Sequence, residues 1–579
     1  MEAVVALYRL DEGSGRIAHD VSGNGNHGEI HGAEWTDEGL RFDGMDDHIK
    51  APHSPSLNLT DRFTIEAWVK GKGAEFSLEE KTSGRPPKRA PHFQVVGDKI
   101  YFATNADIPD PGGTKWVDWN IWTGEMNFDG TGWREVQRTS SPPFCIEPKL
   151  QVVGDEIYYE YFGVQDVYAK LDEKYGQIFT ARSNVDGTGW RAIPRIHYPP
   201  GSKGKNVEQG NMQVVGDRIY YAYPQMDEGH RWQSWTAESK VDGTGWKAVQ
   251  RTEDGGWIPR LQAAGGFVYY LYSRIPEKDL FRFARVRMDG TGWKVIRTIE
   301  VRHLYPWPSF YIFKDRIYFT YSALDERGIS QLWTGWMNID GTDLNVTQRT
   351  FGRYDTPPAG IQIVGDKIYY AYTQAEVEGP RDPRKPWEKR YQLWTARSNI
   401  DGMGWKAVKR TEGEIHHDWG YRAFQVVGGK VYYCANVVYS FITDRRISFG
   451  RSGSNIVNKG DAYGIGVTEE GEARAFVNAG QDYLFRAEAP EDTAGAIADH
   501  PMDDRWHYLV MTYDGTEVRL YIDGELKGST SYTSPAAINP FDLIVGDGFK
   551  GIIAELGIYR RVKTPEEIKE RYRASMRKA

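Results

Sequence analysis

Acidic, basic and phenolic side chains recur just before a set of short apolar segments in the middle of the chain, and these residue types can move protons. A pair of carboxylates can hydrolyse a glycosidic bond, one acting as acid and the other as base or nucleophile. A histidine or tyrosine base beside an arginine can instead abstract the proton next to a uronate carboxylate. The same charges could also simply pair at a solvated channel mouth. The candidate catalytic residues are Glu147, Glu208, Arg260, His416, His417 and Tyr421.

Aromatic side chains are plentiful in the long segments between the apolar ones. An exposed aromatic face can stack on the apolar patch of a sugar ring. Each ring could equally pack between neighbouring loops, so the two interpretations stay open for any single residue. The candidate substrate-binding residues are Trp116, Trp119, Trp232, Trp257, Trp307, Tyr354, Trp387 and Trp419.

An internal repeat positions both sets of residues. Seven segments share one pattern, as in FQVVGDKIYF from Phe93 and IQIVGDKIYY from Ile361, and they recur about every 55 residues. The other copies begin at Leu150, Met212, Leu261, Phe310 and Phe424. A DGTGW-like turn follows each of the first six copies, with aspartates at Asp129, Asp186, Asp242, Asp289, Asp340 and Asp401.

Each repeat predicts four antiparallel strands joined by tight Asp-Gly turns, which is typical of a β-propeller blade. The seventh copy has no DGTGW turn after it. The segment EFSLEEKTSG, residues 75–84, precedes the first copy and is predicted to complete the last blade and close the ring. We therefore favour seven blades, while six blades plus a separate hairpin remain open.

Strand direction alternates within a blade, so the short, uniform turns share one face and the long, variable loops share the other. Variable loops on a rigid scaffold usually carry function. The candidate residues therefore belong to the long-loop face, with Trp232, Trp257, Trp307 and Trp419 on it and the turn aspartates opposite. Most of those aspartates are expected only to shape the turn.

The two ends of the chain predict one domain that is interrupted by the propeller. Residues 1–73 carry FTIEAWVK, and residues 447–579 carry RWHYLVMTYDGTEVRLYIDGEL and GIIAELGIYRRVKTPEEIKERY. Together they resemble a LamG-like, concanavalin-A-type jelly roll. The resemblance implies an all-β protein in which residues 74–446 form a propeller inserted into a β-sandwich, with a short C-terminal helix and a lectin-like role for the sandwich.

The propeller repeats resemble the Asp-box propellers of sialidases and related sugar-processing proteins. SNVDGTGW, from Ser183 to Trp190, has the Asp-box length, although its aspartate is shifted by one place. The arginine triad and the tyrosine–glutamate pair of sialidases are not identifiable in this sequence. The resemblance therefore implies a carbohydrate-active propeller without implying sialidase activity.

Concanavalin-A-like domains often hold calcium through oxygen ligands in loops near their termini. The resemblance makes a structural Ca²⁺ ion the one cofactor expected here. The alternative is a turn rich in glycine and asparagine that is capped by an aspartate. The candidate ligands are Asp20, Asn24, Asp46, Asp47 and Glu555.

Composition excludes several classes of protein. The formal net charge is −8, which argues against a sequence-independent nucleic-acid binder. No run approaches the ~18 apolar residues of a membrane span, and two cysteines cannot form a disulfide framework. The start MEAVVALYRLDEGSG lacks the features of a signal peptide. An extracellular or cell-surface location, with the leader absent from this chain, is favoured, and a cytoplasmic one stays open.

The sequence therefore predicts a protein that acts on a poly- or oligosaccharide at the long-loop face of the propeller. A glycoside hydrolase or polysaccharide lyase is favoured. The alternatives are a non-catalytic glycan-binding or adhesion protein, and a protein-interaction scaffold.

Overall fold

The computed structural model describes residues 4–576, apart from segments whose numbers follow: 45–46, 72, 74–76, 81–87, 97–98, 110–115, 128–130, 141–143, 165–175, 197–206, 208–209, 230, 274–279, 303, 305–307, 354–355, 358, 365–366, 376–390, 412–415, 418–422, 428–429, 439–444, 453, 461, 469–470 and 479–492. The protein is nearly all β, as the sequence predicts. No helix among the described residues is long and apolar enough to cross a membrane.

The N-terminal segment contributes seven strands and one 3-10 turn, Pro55–Leu57. The strands are β1 (Val4–Tyr8), β2 (Ile17–Ala18), β3 (Gly28–His31), β4 (Glu34–Thr36), β5 (Gly39–Asp43), β6 (His48–Ala51) and β7 (Phe63–Gly71). They do not form a domain alone. Strands β1, β5, β6 and β7 have partners almost the whole chain away, in the C-terminal segment.

Six blades follow, each a sheet of four consecutive strands in sequence order. Before them lies β8 (Ser77–Glu80). Blade 1 contains β9 (Lys88–Val96), β10 (Lys99–Pro109), β11 (Trp116–Asn127) and β12 (Arg134–Gln137). Blade 2 contains β13 (Phe144–Val153), β14 (Glu156–Val164), β15 (Gly176–Asn184) and β16 (Arg191–Ile196). Blade 3 contains β17 (Asn211–Val215), β18 (Arg218–Met226), β19 (Trp232–Lys240) and β20 (Lys247–Gln250).

The next three blades repeat the same order of strands. Blade 4 contains β21 (Trp257–Ala264), β22 (Phe267–Ser273), β23 (Leu280–Arg287) and β24 (Lys294–Glu300). Blade 5 contains β25 (Ser309–Phe313), β26 (Arg316–Leu324), β27 (Ser330–Asn338) and β28 (Asn345–Gln348). Blade 6 contains β29 (Gly360–Val364), β30 (Lys367–Ala375), β31 (Tyr391–Asn399) and β32 (Lys406–Lys409).

The seventh repeat forms a composite sheet. Its strands are β33 (His416–His417), β34 (Ala423–Val427), β35 (Lys430–Val438) and β36 (Arg445–Ser452). Strand β8 pairs with β36, with Phe449 opposite Glu79. This pairing confirms, for the described part Ser77–Glu80 of the segment 75–84, that it joins the sheet of the last repeat. The preference for seven blades over six stays a prediction, because six sheets are complete blades and this one is composite.

Buried glutamines connect neighbouring inner strands around the propeller. Gln94 Oε1 accepts a hydrogen bond from Val152 N at 2.7 Å, and Gln425 Oε1 accepts one from Val95 N at 2.6 Å. Gln151, Gln213, Gln262 and Gln362 make the same contact to the next repeat. Each bond satisfies a buried backbone amide at the junction of two sheets. The contact from Gln425 back to Val95 returns the series to its first strand.

The C-terminal segment completes the β-sandwich. Its elements are β37 (Ser454–Lys459), β38 (Tyr463–Val467), β39 (Glu472–Asn478), β40 (Thr493–Pro501), β41 (Trp506–Tyr513), β42 (Glu517–Ile522), β43 (Glu525–Ser531), β44 (Leu543–Val545), β45 (Lys550–Tyr559) and helix α1 (Pro565–Met576). One sheet has the order β4-β5-β45-β7-β41-β42-β43, with β1 beside β45, and the other has the order β2-β3-β6-β44-β37-β38-β39-β40.

Strand pairing shows that the sandwich is one fold built from both ends. Strand β7 lies between β41 and β45, with Ile65 opposite Met511 on one side and Ile558 on the other. Their side chains belong to one apolar core shared by the two sheets. The propeller is therefore inserted into a sandwich that needs both chain ends to bury its core.

The sandwich contacts the propeller through a buried group of charges. Glu472 on β39 bonds Arg397 of blade 6 at 2.5 Å and Lys406 of the same blade at 2.9 Å. The side chains of Glu472 and Arg397 are 3% and 7% exposed. In blades 1 and 3 such a carboxylate comes from the blade itself, as when Glu238 pairs with Arg218 in blade 3. At the position of Glu238, blade 6 has Arg397 instead. The carboxylate that pairs with Arg397 comes from Glu472 of the sandwich.

Candidate functional site

The candidate site lies where the inner strands of blades 1 to 4 begin. Four residues occupy the same position in the repeat, two residues before the glutamine of their inner strand. They are His92, Lys149, Asn211 and Arg260. In a propeller these strands surround the central channel, so the four side chains lie at one level around it.

Hydrogen bonds connect these positions between neighbouring blades. Leu150 N donates to His92 Nδ1 at 3.3 Å, so the neutral imidazole carries its proton on Nε2. Arg260 Nη1 donates to Asn211 Oδ1 at 3.5 Å. The arrangement places an imidazole on blade 1, an ammonium on blade 2 and a guanidinium group on blade 4, with the Asn211 amide on blade 3 between the two cations.

Glu147 joins this group through a local distortion of β13. The register of β13 against β14 shifts between Ile146 and Lys149, and Glu147 has a positive φ of 54°. A non-glycine residue in this region is uncommon and marks a special position. Glu147 N donates to Oδ1 of the buried Asn105 at 3.4 Å. Such a bulge bends the strand at Glu147, the residue that carries the carboxylate.

Glu160 provides the second carboxylate, and it is deeply buried. It lies on β14 directly opposite Lys149 and is 3% exposed. Its Oε1 accepts a hydrogen bond from Gly210 N at 3.0 Å, whereas Oε2 has no hydrogen-bond partner among the described residues. A Cβ atom at Gly210 would lie 2.7 Å from Oε1, so the approach of this backbone requires glycine. We call His92, Glu147, Lys149, Glu160 and Arg260 the channel cluster.

Burial and mutual charge shift the pKa values in the channel cluster. Burial raises the pKa of Glu160 to about 7, with Lys149 and the Gly210 amide opposing the shift and Glu147 adding to it. Burial and the Arg260 cation together lower the pKa of Lys149 to about 8, with Glu147 and Glu160 opposing the shift. Burial, together with the cations Lys149 and Arg260, lowers the pKa of His92 to about 3. His92 is therefore neutral near pH 7, and Glu160 is close to half-protonated.

Two of the predicted tryptophans form a stacked pair next to the channel cluster. The ring centroids of Trp232 and Trp257 are 6.2 Å apart with an interplanar angle of 11°, and both side chains are partly exposed. Trp257 and Arg260 lie on the same strand, β21, so the pair is about 10 Å from the cluster along that strand. Both tryptophans begin their strands at the long-loop end, as strand alternation predicts.

The turn aspartates lie at the opposite ends of the strands and support the backbone. Asp186 Oδ1 accepts hydrogen bonds from Thr188 N at 2.8 Å and Thr188 Oγ1 at 2.7 Å. Asp242, Asp289 and Asp340 repeat the same pair of bonds. These exposed carboxylates shape the turns, which is the role expected for most of them.

Several predicted site residues lie outside the described residues or on strands for which only the backbone is described. Glu208, Trp307, Tyr354, Trp387, Trp419, Tyr421 and Asp46 are outside the described residues. Trp116 and Trp119 lie on β11, and His416 and His417 form β33, with only their backbone described. Of the predicted catalytic residues, the structure brings together Glu147 and Arg260.

The predicted calcium ligands are divided among separate contacts. The oxygens of Asp20 accept hydrogen bonds from the amides of Leu7, Ser22 and Asn26 and from Ser22 Oγ. Asn24 Nδ2 donates to backbone carbonyls of β1. Asp47 accepts from Asp43 N at 2.8 Å.

Glu555 of the predicted calcium set bonds Arg571 of α1. Among the described residues no group of three or more histidine, cysteine or acidic side chains is arranged to hold a metal. Calcium stays a prediction, which thermal melting with and without EDTA tests.

Sequence reasoning missed Lys149 and Glu160, although the repeat contains the signal for both. At the position of Glu160 the other copies have small or apolar residues or threonine. They are Ala103, Ala222, Leu271, Thr320, Ala371 and Cys434. Glu160 is the one charged residue at this repeat position, which is buried in the described copies of blades 1 to 6. A charge there indicates that packing alone does not determine the residue.

Comparison with known proteins gives a family for one part of the chain. Residues 444–569 match a family model described as the concanavalin A-like lectin/glucanases superfamily. No curated protein matches the chain.

Three solved structures are among those similar to this one at low sequence identity. Trypanosoma rangeli sialidase is 13% identical, with a TM-score of 0.36 over 88% of this chain and 98% of the other. Polysaccharide lyase Uly1 is 9% identical, with a TM-score of 0.41 over 67% and 99%. An α-L-arabinofuranosidase from Lactobacillus brevis is 13% identical, with a TM-score of 0.28 over 46% and 91%. Residues 444–569 thus belong to a concanavalin A-like domain. The sandwich of that domain also contains the strands of the N-terminal segment, and the β-propeller is inserted between the two parts.

Proposed function

We propose that this protein is a carbohydrate-active enzyme whose channel cluster transfers protons during cleavage of a glycan. The observation that carries the proposal is Glu160. It is a buried carboxyl with one unbonded oxygen among the described residues and a pKa raised to about 7. A group with these properties can both hold and release a proton at neutral pH, as general acid–base catalysis requires.

The cations of the channel cluster favour a glycan with acidic groups. Lys149 lies opposite Glu160 on the neighbouring strand, and Arg260 is close enough to lower the pKa values of both Lys149 and His92. A guanidinium binds a carboxylate through paired hydrogen bonds. A uronate carboxylate bound by Arg260 would be neutralised, which makes its neighbouring C–H bond more acidic.

Elimination is the first form of the reaction. A base of the channel cluster takes the proton next to the bound carboxylate, and the electron pair of that C–H bond forms a double bond. The bond to the glycosidic oxygen breaks, and an acid returns a proton to that oxygen. Glu160 can serve as either group because its pKa lies near neutral pH.

Hydrolysis is the second form, and Glu147 is the observation that favours it. Glu147 adds to the rise in the pKa of Glu160, so the two carboxyl groups interact. Protonated Glu160 would give its proton to the glycosidic oxygen, while ionised Glu147 activates water or attacks the sugar. Water then supplies the oxygen of the new reducing end.

The stacked tryptophans supply a platform for the same chain. Trp232 and Trp257 present partly exposed indoles at the long-loop end of blades 3 and 4. Aromatic faces bind the apolar sides of sugar rings. A sugar residue held there would direct the adjoining residues of the chain toward Arg260.

A panel of acidic and neutral polysaccharides tests this proposal. The full-length protein is incubated with each polysaccharide, and the products are measured by chain length, reducing ends and the absorbance of a new double bond. New reducing ends with the double bond support elimination, and new reducing ends without it support hydrolysis. Glycan that binds and stays intact would favour the non-catalytic alternative. Unchanged cleavage by Glu160→Gln would instead contradict the role of Glu160 in an enzyme.

A further inference from the structure

The second aromatic feature of the long-loop face is Phe351, which follows the outer strand of blade 5. Its side chain is 71% exposed, more than any other large hydrophobic side chain described in this protein. The same repeat position, after the Arg-Thr pair, is polar in blades 1, 3 and 6, where the residues are Ser140, Glu253 and Glu412. In blade 4 the residue after the pair is Ile299, which is buried, whereas Phe351 is an exposed phenyl ring where blades 1, 3 and 6 have a polar residue.

A hydrogen-bonded scaffold holds the backbone that presents Phe351. Asp325 pairs with Arg327 at 2.8 Å, and Arg327 Nη2 donates to the carbonyl of Gly352 at 2.9 Å. Gln331 Nε2 donates to the same carbonyl at 2.9 Å. Thr350 Oγ1 donates to Gln331 Oε1 at 2.9 Å. The loop on each side of Phe351 is thereby fixed before anything binds, which lowers the entropic cost of binding.

Blade 3 contains the same scaffold and provides a natural comparison. Asp227 pairs with Arg231 at 3.1 Å, and Gln233 Nε2 donates to the carbonyl of Glu253 at 3.3 Å. Thr252 Oγ1 donates to Gln233 Oε1 at 2.8 Å. The two scaffolds differ in one contact, because Arg327 donates to a loop carbonyl and Arg231 has no such bond among the described residues. They also differ in the side chain that they present, a carboxylate at 253 and a phenyl ring at 351.

The surroundings of Phe351 identify the kind of ligand. Among the described residues, the other large hydrophobic side chains that are exposed lie outside the loops of blade 5. A protein or membrane partner would need a contiguous apolar patch of a few hundred Å² or more. Arg327 Nη2 donates to the Phe351 carbonyl at 3.4 Å, and Arg353 follows two residues along the chain. A single ring in this setting instead fits a pyranose, which has an apolar C–H face and hydroxyl groups at its rim.

We infer that Phe351 is a separate sugar-binding subsite, which stacks on one residue of a glycan chain away from the channel cluster. This inference rests on the proposed function, because it assumes that the long-loop face binds a glycan. The subsite holds the chain and takes no part in bond cleavage. Phe351 therefore adds affinity for long chains, which reach from the channel cluster to blade 5, and adds none for short ones.

Binding measurements with Phe351→Ala test the subsite independently of cleavage. Affinity is measured by calorimetry with a long polysaccharide and with short oligosaccharides of the same composition, using the Glu160→Gln background so that the chain stays intact. We expect affinity for the long chain to fall about 3- to 10-fold, which is the range of one aromatic contact. Affinity for the short oligosaccharides and the thermal midpoint should not change, because the ring is exposed.

Matched variants distinguish the failure of this inference from failure of the proposed function. Phe351→Trp should restore the affinity, and Glu253→Ala on the equivalent scaffold of blade 3 should leave it unchanged. Equal affinity of Phe351→Ala and the parent protein for the long chain would overturn the subsite, whatever the channel cluster does. If Phe351→Ala binds the long chain more weakly but the wild-type protein cleaves no glycan, the result would support the subsite and contradict the proposed catalysis.

Discussion

At the scale of single residues, the channel cluster keeps a carboxyl group where its ionised form is unfavourable. Removing a carboxylate from water costs several kcal/mol unless charges and hydrogen bonds replace the lost solvent. Glu160 has one bond from Gly210 N and the attraction of Lys149, and burial still outweighs both. Such a group lowers the stability of the fold, and its presence is more readily explained by chemistry than by packing.

We expect Glu160→Gln to gain stability relative to the wild-type protein as pH rises from 5 to 8. The folded-state pKa of Glu160, about 7, lies above its ordinary value of 4.5. The folded protein therefore binds this proton more tightly, and wild-type stability is lost as pH rises through that range. The difference corresponds to about 3 kcal/mol at most, since one pKa unit is worth about 1.4 kcal/mol. Urea unfolding of both proteins at several pH values measures it, and a pH-independent difference would contradict the prediction.

The sequence predicts part of this site and misses the rest for a definite reason. Glu147 and Arg260 precede apolar strands and are visible as polar residues near loops. Lys149 and Glu160 lie within strands, and their meaning depends on the cross-strand pairing that places them opposite each other. Alignment of the repeats reveals Glu160 as unusual, but only burial and its neighbours identify it as a perturbed acid.

At the scale of strands and turns, the DGTGW motif holds neighbouring blades together. Arg349 of blade 5 donates from Nε to Thr334 Oγ1 at 2.7 Å and from Nη2 to the Gly402 carbonyl of blade 6 at 2.8 Å. Its guanidinium carbon lies 5.0 Å from the ring centroid of Trp405. Arg138, Arg195 and Arg251 make the equivalent contacts to the tryptophans of the next blades. The sequence identified the turn, but the role of its tryptophan depends on contact between repeats.

We expect Arg349→Ala to lower the free energy of unfolding by about 1–3 kcal/mol, because two hydrogen bonds and a cation–π contact are lost together. Glycan binding and cleavage should not change, because this contact lies at the turn face. Thermal melting measures the loss. Arg191→Ala, at an exposed position on β16, is the control and should change the midpoint little. Equal effects of the two variants would show that Arg349 does not join the blades.

At the scale of the whole molecule, one buried carboxylate joins the two domains. The insertion could be predicted from the sequence, because motifs of one domain lie at both chain ends. The contact between domains could not, since it depends on Glu472 of β39 meeting the cations of blade 6. Neither partner is unusual in its own segment, and only the folded chain brings them together.

Removal of this carboxylate is expected to uncouple the domains. Glu472→Ala removes the carboxylate that pairs with the buried Arg397, which should cost about 3–5 kcal/mol. Arg397→Met in the same chain should recover part of that cost, and calorimetry of the single and double variants measures it. Glu238→Ala removes a comparable carboxylate within blade 3, where Arg218 is 43% exposed, and should cost less than about 1 kcal/mol. A Glu472→Ala cost as small as this control would contradict the prediction.

Acidification should weaken the same contact. Burial opposes ionisation of Glu472, but hydrogen bonds from Lys406 and Arg397 outweigh burial and lower its pKa. A lowered folded-state pKa stabilises the fold above the ordinary pKa of a glutamate, and this stability is lost as pH falls through the folded value. The difference in unfolding free energy between the wild-type protein and Glu472→Gln should therefore shrink in acid. A difference that stays constant from neutral to acidic pH would contradict this.

The central claim is that Glu160 moves the proton in glycan cleavage. The most direct measurement is the rate of cleavage by Glu160→Gln relative to the wild-type protein, on the polysaccharide that the wild-type protein cleaves best, at pH 7. The substitution keeps the shape and a hydrogen-bond acceptor for Gly210 N but cannot exchange a proton. We predict a rate about 10²- to 10⁴-fold lower, with glycan affinity retained. A variant that cleaves at the wild-type rate would contradict the assignment.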